Sequence, residues 1–148
     1  MSETQTLTLE HLIVFREIEK QDEGFVLSSW KRSHRADFEF MSNSEYYAYA
    51  NTFDAILNKC SCIIVSEKKD PSMIYGYIVF KKIPGVAIIH YIYVKQAFRE
   101  FGIATRLFAF ATANSEHVVA TCERYSNQNV NNKIKKYGVI FKKELKGI

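Results

Sequence analysis

The sequence predicts an α/β domain with a central mixed, mostly antiparallel sheet flanked by helices, and three observations carry that prediction. Residues 86–94, Val-Ala-Ile-Ile-His-Tyr-Ile-Tyr-Val, form a continuous apolar run rich in β-branched and aromatic side chains, the pattern of a buried strand. Ile83-Pro84-Gly85 immediately before it is a turn sequence, so the apolar run at 75–80 and the one at 86–94 are expected to be antiparallel neighbours. Along the whole chain the elements follow the order strand, two helices, three strands, loop, helix, strand, helix, strand.

The first of these is residues 12–20, which begin as a strand and turn alternating, as suits an edge strand with one wet face. Asp22 is placed to cap a helix through residues 25–35, with Glu23 in its first turn. Residues 36–41 are expected as a loop. Ser42-Asn43-Ser44-Glu45 has the form of a capping box, and Tyr46, Tyr49, Ala50, Phe53, Ile56 and Leu57 then share one face of the helix it starts. Short strands follow at 62–66 and 75–80, separated by a turn at 68–72. After the strand at 86–94 come a helix over 105–112, a strand at 117–122, a helix near 130–137 and a last strand at 139–145.

Composition sets bounds on function. The 148 residues are 47% hydrophobic and 24% charged, ordinary for one globular domain (1–148) with a sizeable core. No apolar run approaches the length that crosses a bilayer, and Met1-Ser2-Glu3-Thr4 has neither the basic start nor the apolar segment of a signal peptide, so a cytoplasmic protein without a membrane partner is expected. Cys60-Ser61-Cys62 leaves too little chain for an ordinary disulfide or zinc pair; these two and Cys122 are expected reduced and buried, with no metal bound. The net charge of +4 is unevenly spread: residues 1–24 carry two basic and six acidic side chains (2 − 6 = −4), residues 119–148 seven basic and two acidic (7 − 2 = +5). The basic third suits either an acidic partner or a solvated helix and edge strand.

Between the strand at 86–94 and the helix at 105–112 lies Arg99-Glu100-Phe101-Gly102-Ile103-Ala104. A strand that passes through a short glycine-containing loop into a helix start gathers unpaired backbone N–H groups at one spot, where the helix dipole also favours negative charge. This is a phosphate cradle in outline. Arg-x-x-Gly-x-Ala, five residues after the strand-ending Val94, resembles the acyl-CoA pyrophosphate loop of the GNAT N-acyltransferases, Gln/Arg-x-x-Gly-x-Gly/Ala. The element order is that of the GNAT fold, so the resemblance covers nearly the whole chain. Residues 126–139 also align without gaps on the family pattern Glu-Asn-x-x-Ala-x-x-x-Tyr-x-x-x-Gly-Phe, with Asn127, Val130, Gly138 and Val139 at the Asn, Ala, Gly and Phe positions. Ile134 stands where the family often has a tyrosine that protonates the leaving thiolate, and a branched hydrocarbon has no proton to give.

The resemblance implies an N-acyltransferase that uses acetyl-CoA or another acyl-CoA. Its pantetheine arm would meet the backbone of Ile92, Tyr93 and Val94, where the family's two central strands splay apart. Its pyrophosphate would meet Arg99, Glu100, Phe101, Gly102, Ile103 and Ala104, with the hydroxyl of Thr105 and with Asn127 nearby. His90, four residues before Val94, matches a position where several family members carry the base that deprotonates the amine through water; a hydrogen-bonded core histidine is the other reading. Trp30, Arg32 and His34 fall on the family's acceptor-facing helix. They suit either a cleft for an anionic acceptor, nucleic acid included, or an amphipathic helix that packs Trp30 inward. Phe-x-x-x-x-Trp-x-x-Ser (Phe25, Trp30, Ser33) also resembles GNAT-like proteins of tailed bacteriophages, which would act in the host cytoplasm. The acceptor is an amine on a small molecule, a protein or a nucleic acid, a homodimer is one assembly in view, and a GNAT-shaped protein that binds a partner without turnover is the competing function.

Overall fold

The computed structural model describes residues 9–121 and 140–141. Its elements are α1 (Leu9–Leu12), β1 (Ile13–Glu17), a 3-10 turn (Lys20–Asp22), α2 (Glu23–His34), a second 3-10 turn (Arg35–Phe38), α3 (Asn43–Ala50), α4 (Thr52–Lys59), β2 (Ser61–Glu67), β3 (Ile74–Ile83), β4 (Val86–Val94), a third 3-10 turn (Gln96–Phe98), α5 (Ile103–Thr112), β5 (His117–Ala120) and β6 (Ile140–Phe141). The strands form one sheet in the order β1-β2-β3-β4-β5-β6. The first four pair antiparallel, and β4–β5 and β5–β6 pair parallel. A parallel pair needs a crossover, and α5 supplies it between β4 and β5.

Strand β4 has the bounds its apolar run predicted, and Pro84-Gly85 closes a two-residue turn that sets Ile83 opposite Val86, with Gly85 at a φ of 76°. Both faces of the sheet are covered. Phe15 meets Phe110 of α5, while its neighbour Arg16 reaches Asp22 at the start of α2; successive strand residues point to opposite faces, so α5 covers one face and α2 the other. Tyr77, Tyr91 and Tyr93 share the α2 side, where Phe25 and Trp30 lie against them. Tyr46, Ala50, Phe53 and Leu57 bring α3 and α4 into the same buried cluster.

Two local expectations are corrected. Asp22 stands at the N-cap of α2, but its carboxylate does not cap that helix: it accepts from Arg16 Nη1 at 2.6 Å, Arg16 Nη2 at 3.0 Å and the Glu19 amide at 2.8 Å. The guanidinium beside it holds the Asp22 carboxyl below the usual carboxylate range. The single helix expected after residues 42–45 is broken at Asn51, where the Thr52 hydroxyl bonds back to Tyr49 O at 2.7 Å. Ser42 does cap it, accepting from the Glu45 amide at 3.2 Å. The expected helix near 130–137 lies outside the described residues.

Candidate functional site

Strands β4 and β5 pair from Val86↔His117 to Ile89↔Ala120, and a last bond runs from the Thr121 amide to Ile89 O at 3.1 Å. Beyond that point no described residue pairs with the β5 side of β4, while its β3 side stays paired as far as Gly76↔Val94. Among the described residues, this edge of β4 is open from His90 onward. On the β3 side the register also shifts there: Val79 faces Tyr91 but Phe80 faces Ile89, leaving His90 as the extra residue of a bulge.

The open edge has a definite set of backbone groups. Lys95 N–H donates to Tyr75 O, so strand alternation turns the backbone of Ile92 and Val94 to the open edge and that of Tyr93 towards β3. Tyr93 thus drops out of the expected pantetheine contacts, because its polar backbone groups face the neighbouring strand. Gly76 marks the close approach on that side: a Cβ there would lie 2.6 Å from Tyr93 O. At the far end, Arg99 Nε donates to Val94 O at 2.9 Å, tying the loop to the strand it leaves.

The loop then delivers a bare helix start. Phe98 stacks on Tyr75 with ring centroids 4.0 Å apart, Glu100 takes a φ of 74°, and Gly102 takes a φ of 80° at the N-cap of α5. No side chain caps this end. The first helical bond runs from the Arg106 amide to Gly102 O, so the amides of Ile103, Ala104 and Thr105 stand ahead of it without a cap. Ile103 is buried and anchors the turn; Phe101 projects beside it, 61% exposed. Three uncapped N–H donors at a helix N-terminus, with Arg99 adjacent, fit an anionic diphosphate.

His90 is half-buried just beyond the last β4–β5 pair, its Nδ1 3.2 Å from Thr121 Oγ1. Burial, and secondarily the charge of Lys81, lowers its pKa to about 4, and burial alone does the same for His34. Both imidazoles are neutral at pH 7. Their folded-state pKa values lie below the unfolded value, so as pH falls through about 6.5 the unfolded chain takes up protons that the native state refuses until about 4. Stability is therefore expected to drop between about pH 6.5 and 4, by on the order of 2–3 kcal/mol per histidine. Urea unfolding at pH 7 and pH 4.5, with a His34→Phe variant that keeps the aromatic packing, checks this; a variant that loses as much stability in acid as the wild type would contradict it.

A model of the acetyltransferase (GNAT) family matches residues 27–135. The chain belongs to that family. GNAT-type solved structures share its fold at low identity. A Pyrococcus furiosus protein described as an acetyl transferase superposes with a TM-score of 0.65 at 14% identity, over 84% of this chain and 91% of its own. A Clostridium difficile 630 protein described as an acetyltransferase gives 0.58 at 13%, over 87% and 91%. The aminoglycoside N-acetyltransferase AAC(6')-Iy, in complex with CoA, gives 0.51 at 14%, over 90% and 91%. Among curated proteins none matches.

For a GNAT chain, helix α2 would border the acceptor, and here the structure corrects the sequence reading. Trp30 is 2% exposed, stacked on Phe53 at 4.3 Å and on Tyr91 at 5.6 Å, so its ring belongs to the core and is closed to a nucleotide base. His34 is buried edge-on to Phe38, Phe53 and Tyr91. Of the three expected acceptor residues only Arg32 is exposed. A cavity of about 230 Å³ that the sequence did not signal lies at the start of α2, lined by Gln21, Asp22, Phe25, Pro71, Ser72 and Ile74. Phe25 separates it from Tyr93, its ring 6.2 Å away. Asn127, Ile134 and Cys122 lie outside the described residues; Cys62 is a buried free thiol and Cys60 a half-buried one. Among the described residues no helix is long and apolar enough to cross a membrane, and no cluster of metal-ligating side chains is present.

Proposed function

We propose that this GNAT chain is an acyl-CoA-dependent N-acyltransferase that moves an acetyl or related acyl group to an amine. The observation that carries the reading is the uncapped start of α5, which follows directly on a β4 edge that no described residue pairs with beyond Ile89. Acyl-CoA would supply a thioester activated towards attack. The backbone of Ile92 and Val94 would bond its pantetheine arm, and the amides of Ile103, Ala104 and Thr105 its pyrophosphate.

His90 sits at the head of this edge as a neutral imidazole. A base with a pKa of about 4 cannot strip an ammonium ion whose pKa is about 10. It can take the proton once the amine nitrogen has begun to bond to the carbonyl carbon, because that nitrogen is then far more acidic. The C–N bond forms, the C–S bond breaks, the amine proton passes to His90 and the sulfur leaves as thiolate. A thiol-release assay with acetyl-CoA and mixed amines is expected to show turnover that falls roughly 10²- to 10⁴-fold in His90→Ala. Undiminished release in the variant would remove His90 as the base.

Ile134, in place of the family's tyrosine, favours a second reading in which the protein binds a partner without turnover. No thiol release with any amine would favour it. As to the acceptor, Trp30 no longer speaks for nucleic acid; exposed Arg32 and the +5 balance of residues 119–148 support an anionic one.

A further inference from the structure

The Thr121 hydroxyl stands just past the last pair of β5 with β4, between two groups of the other strand. Its oxygen is 3.2 Å from His90 Nδ1 and 3.5 Å from Ile89 O, and the amide of the same residue already holds that carbonyl at 3.1 Å. A hydroxyl has one proton to donate and two lone pairs to accept with. Ile89 O has only acceptor capacity, so a bond between it and the hydroxyl uses the hydroxyl proton. With the hydroxyl proton on the Ile89 O side, the contact with His90 runs the other way, from an Nδ1–H into the threonine oxygen. In a neutral imidazole that proton on Nδ1 leaves Nε2 with the lone pair.

We propose that Thr121 is the positioning residue of the site: by accepting from Nδ1–H and donating to Ile89 O it locks His90 in the tautomer whose Nε2 can receive a proton. The reading rests on His90 as the base, but the tautomer itself is a property of the folded chain. The carbonyl, hydroxyl and imidazole form a short relay across the last described contact of the two strands, and the residue after β5 thereby sets the state of a base carried on β4. Strand pairing fixes the geometry: the amide bond from Thr121 to Ile89 O holds the hydroxyl in place, and the bulge makes His90 the extra residue beside it.

Nitrogen-15 NMR of the imidazole ring at pH 7 reads the tautomer directly in the free protein. The wild type is expected to show His90 with Nδ1 protonated and Nε2 bare; Thr121→Ser should keep that pattern, and Thr121→Val, which keeps the shape but loses the oxygen, should shift the ring towards the Nε2–H form. In the thiol-release assay Thr121→Val should lose about tenfold or more in kcat, within the span of a positioned general base, and Thr121→Ser should recover most of it. A wild-type His90 protonated on Nε2, or a tautomer identical in Thr121→Val, would overturn the proposal. The expected NMR pattern combined with undiminished thiol release in His90→Ala would remove the base assignment and leave the relay standing, so the two failures are distinguishable.

Discussion

Trp30→Ala is expected to destabilise the fold by about 3–5 kcal/mol, the range for deleting a buried Trp or Phe side chain, and to lower the thermal midpoint by roughly 10–20 °C. The indole is the hinge between layers: it stacks on Phe53 of α4 and on Tyr91 of β4, so its removal opens a void where helix and sheet meet. Neighbouring rings cannot close that void cheaply. His34 packs edge-on to the same Phe53 and Tyr91, and any collapse would disturb it too. Arg32→Ala, two residues away and exposed, is the control and should move stability by no more than about 0.5 kcal/mol. Thermal unfolding of the two variants decides it. A Trp30→Ala midpoint close to that of Arg32→Ala would mean the ring is at the surface after all, and would return it to the acceptor wall.

That residue also shows where sequence reasoning reached its limit. Trp30 among Lys31, Arg32 and Arg35 is compatible with a ring turned inward or outward, because a helical stripe gives a face but not what covers it. What covers it is Phe53 and Tyr91, 23 and 61 positions further along. The strand at 86–94 was legible because its signal is local: nine residues of one character bounded by Pro84-Gly85 on one side and a polar loop on the other. The glycine-led helix start was legible for the same reason, since the glycine, at a φ of 80°, and the first helical residues lie within six positions.

The bulge at His90 was not, for nothing in Ile88-Ile89-His90-Tyr91 marks a register shift that arises from pairing with Val79 and Phe80. Four residues separate His90 from Val94, and counting by twos puts them on one face only in an unbroken strand. The same holds for Asp22: the cap expected from its position lost to Arg16, which a strand six residues earlier presents to it. The cavity beside it joins the start of α2 to the turn before β3, two segments some 50 residues apart whose meeting no local pattern announces.

The second large effect is expected at Gly102, and it bears on the proposal that the outer edge of β4 and the bare start of α5 bind acyl-CoA. A left-handed φ of 80° costs any other residue about 1–2 kcal/mol, so Gly102→Ala should fold somewhat less stably and still bind. A Cβ at Gly102 meets no atom within 4 Å, so a side chain there enters open space at the start of α5. Gly102→Glu carries the same backbone strain and adds a carboxylate where the amides of Ile103, Ala104 and Thr105 would receive a diphosphate; repulsion and lost donors should weaken binding at least about 100-fold. The deciding measurement is calorimetric titration of CoA into the wild type and both Gly102 variants, each first shown by circular dichroism to be folded. The predicted result is saturable heat from the wild type and Gly102→Ala and none from Gly102→Glu; no heat from the wild type, or equal affinity in Gly102→Glu, would contradict it.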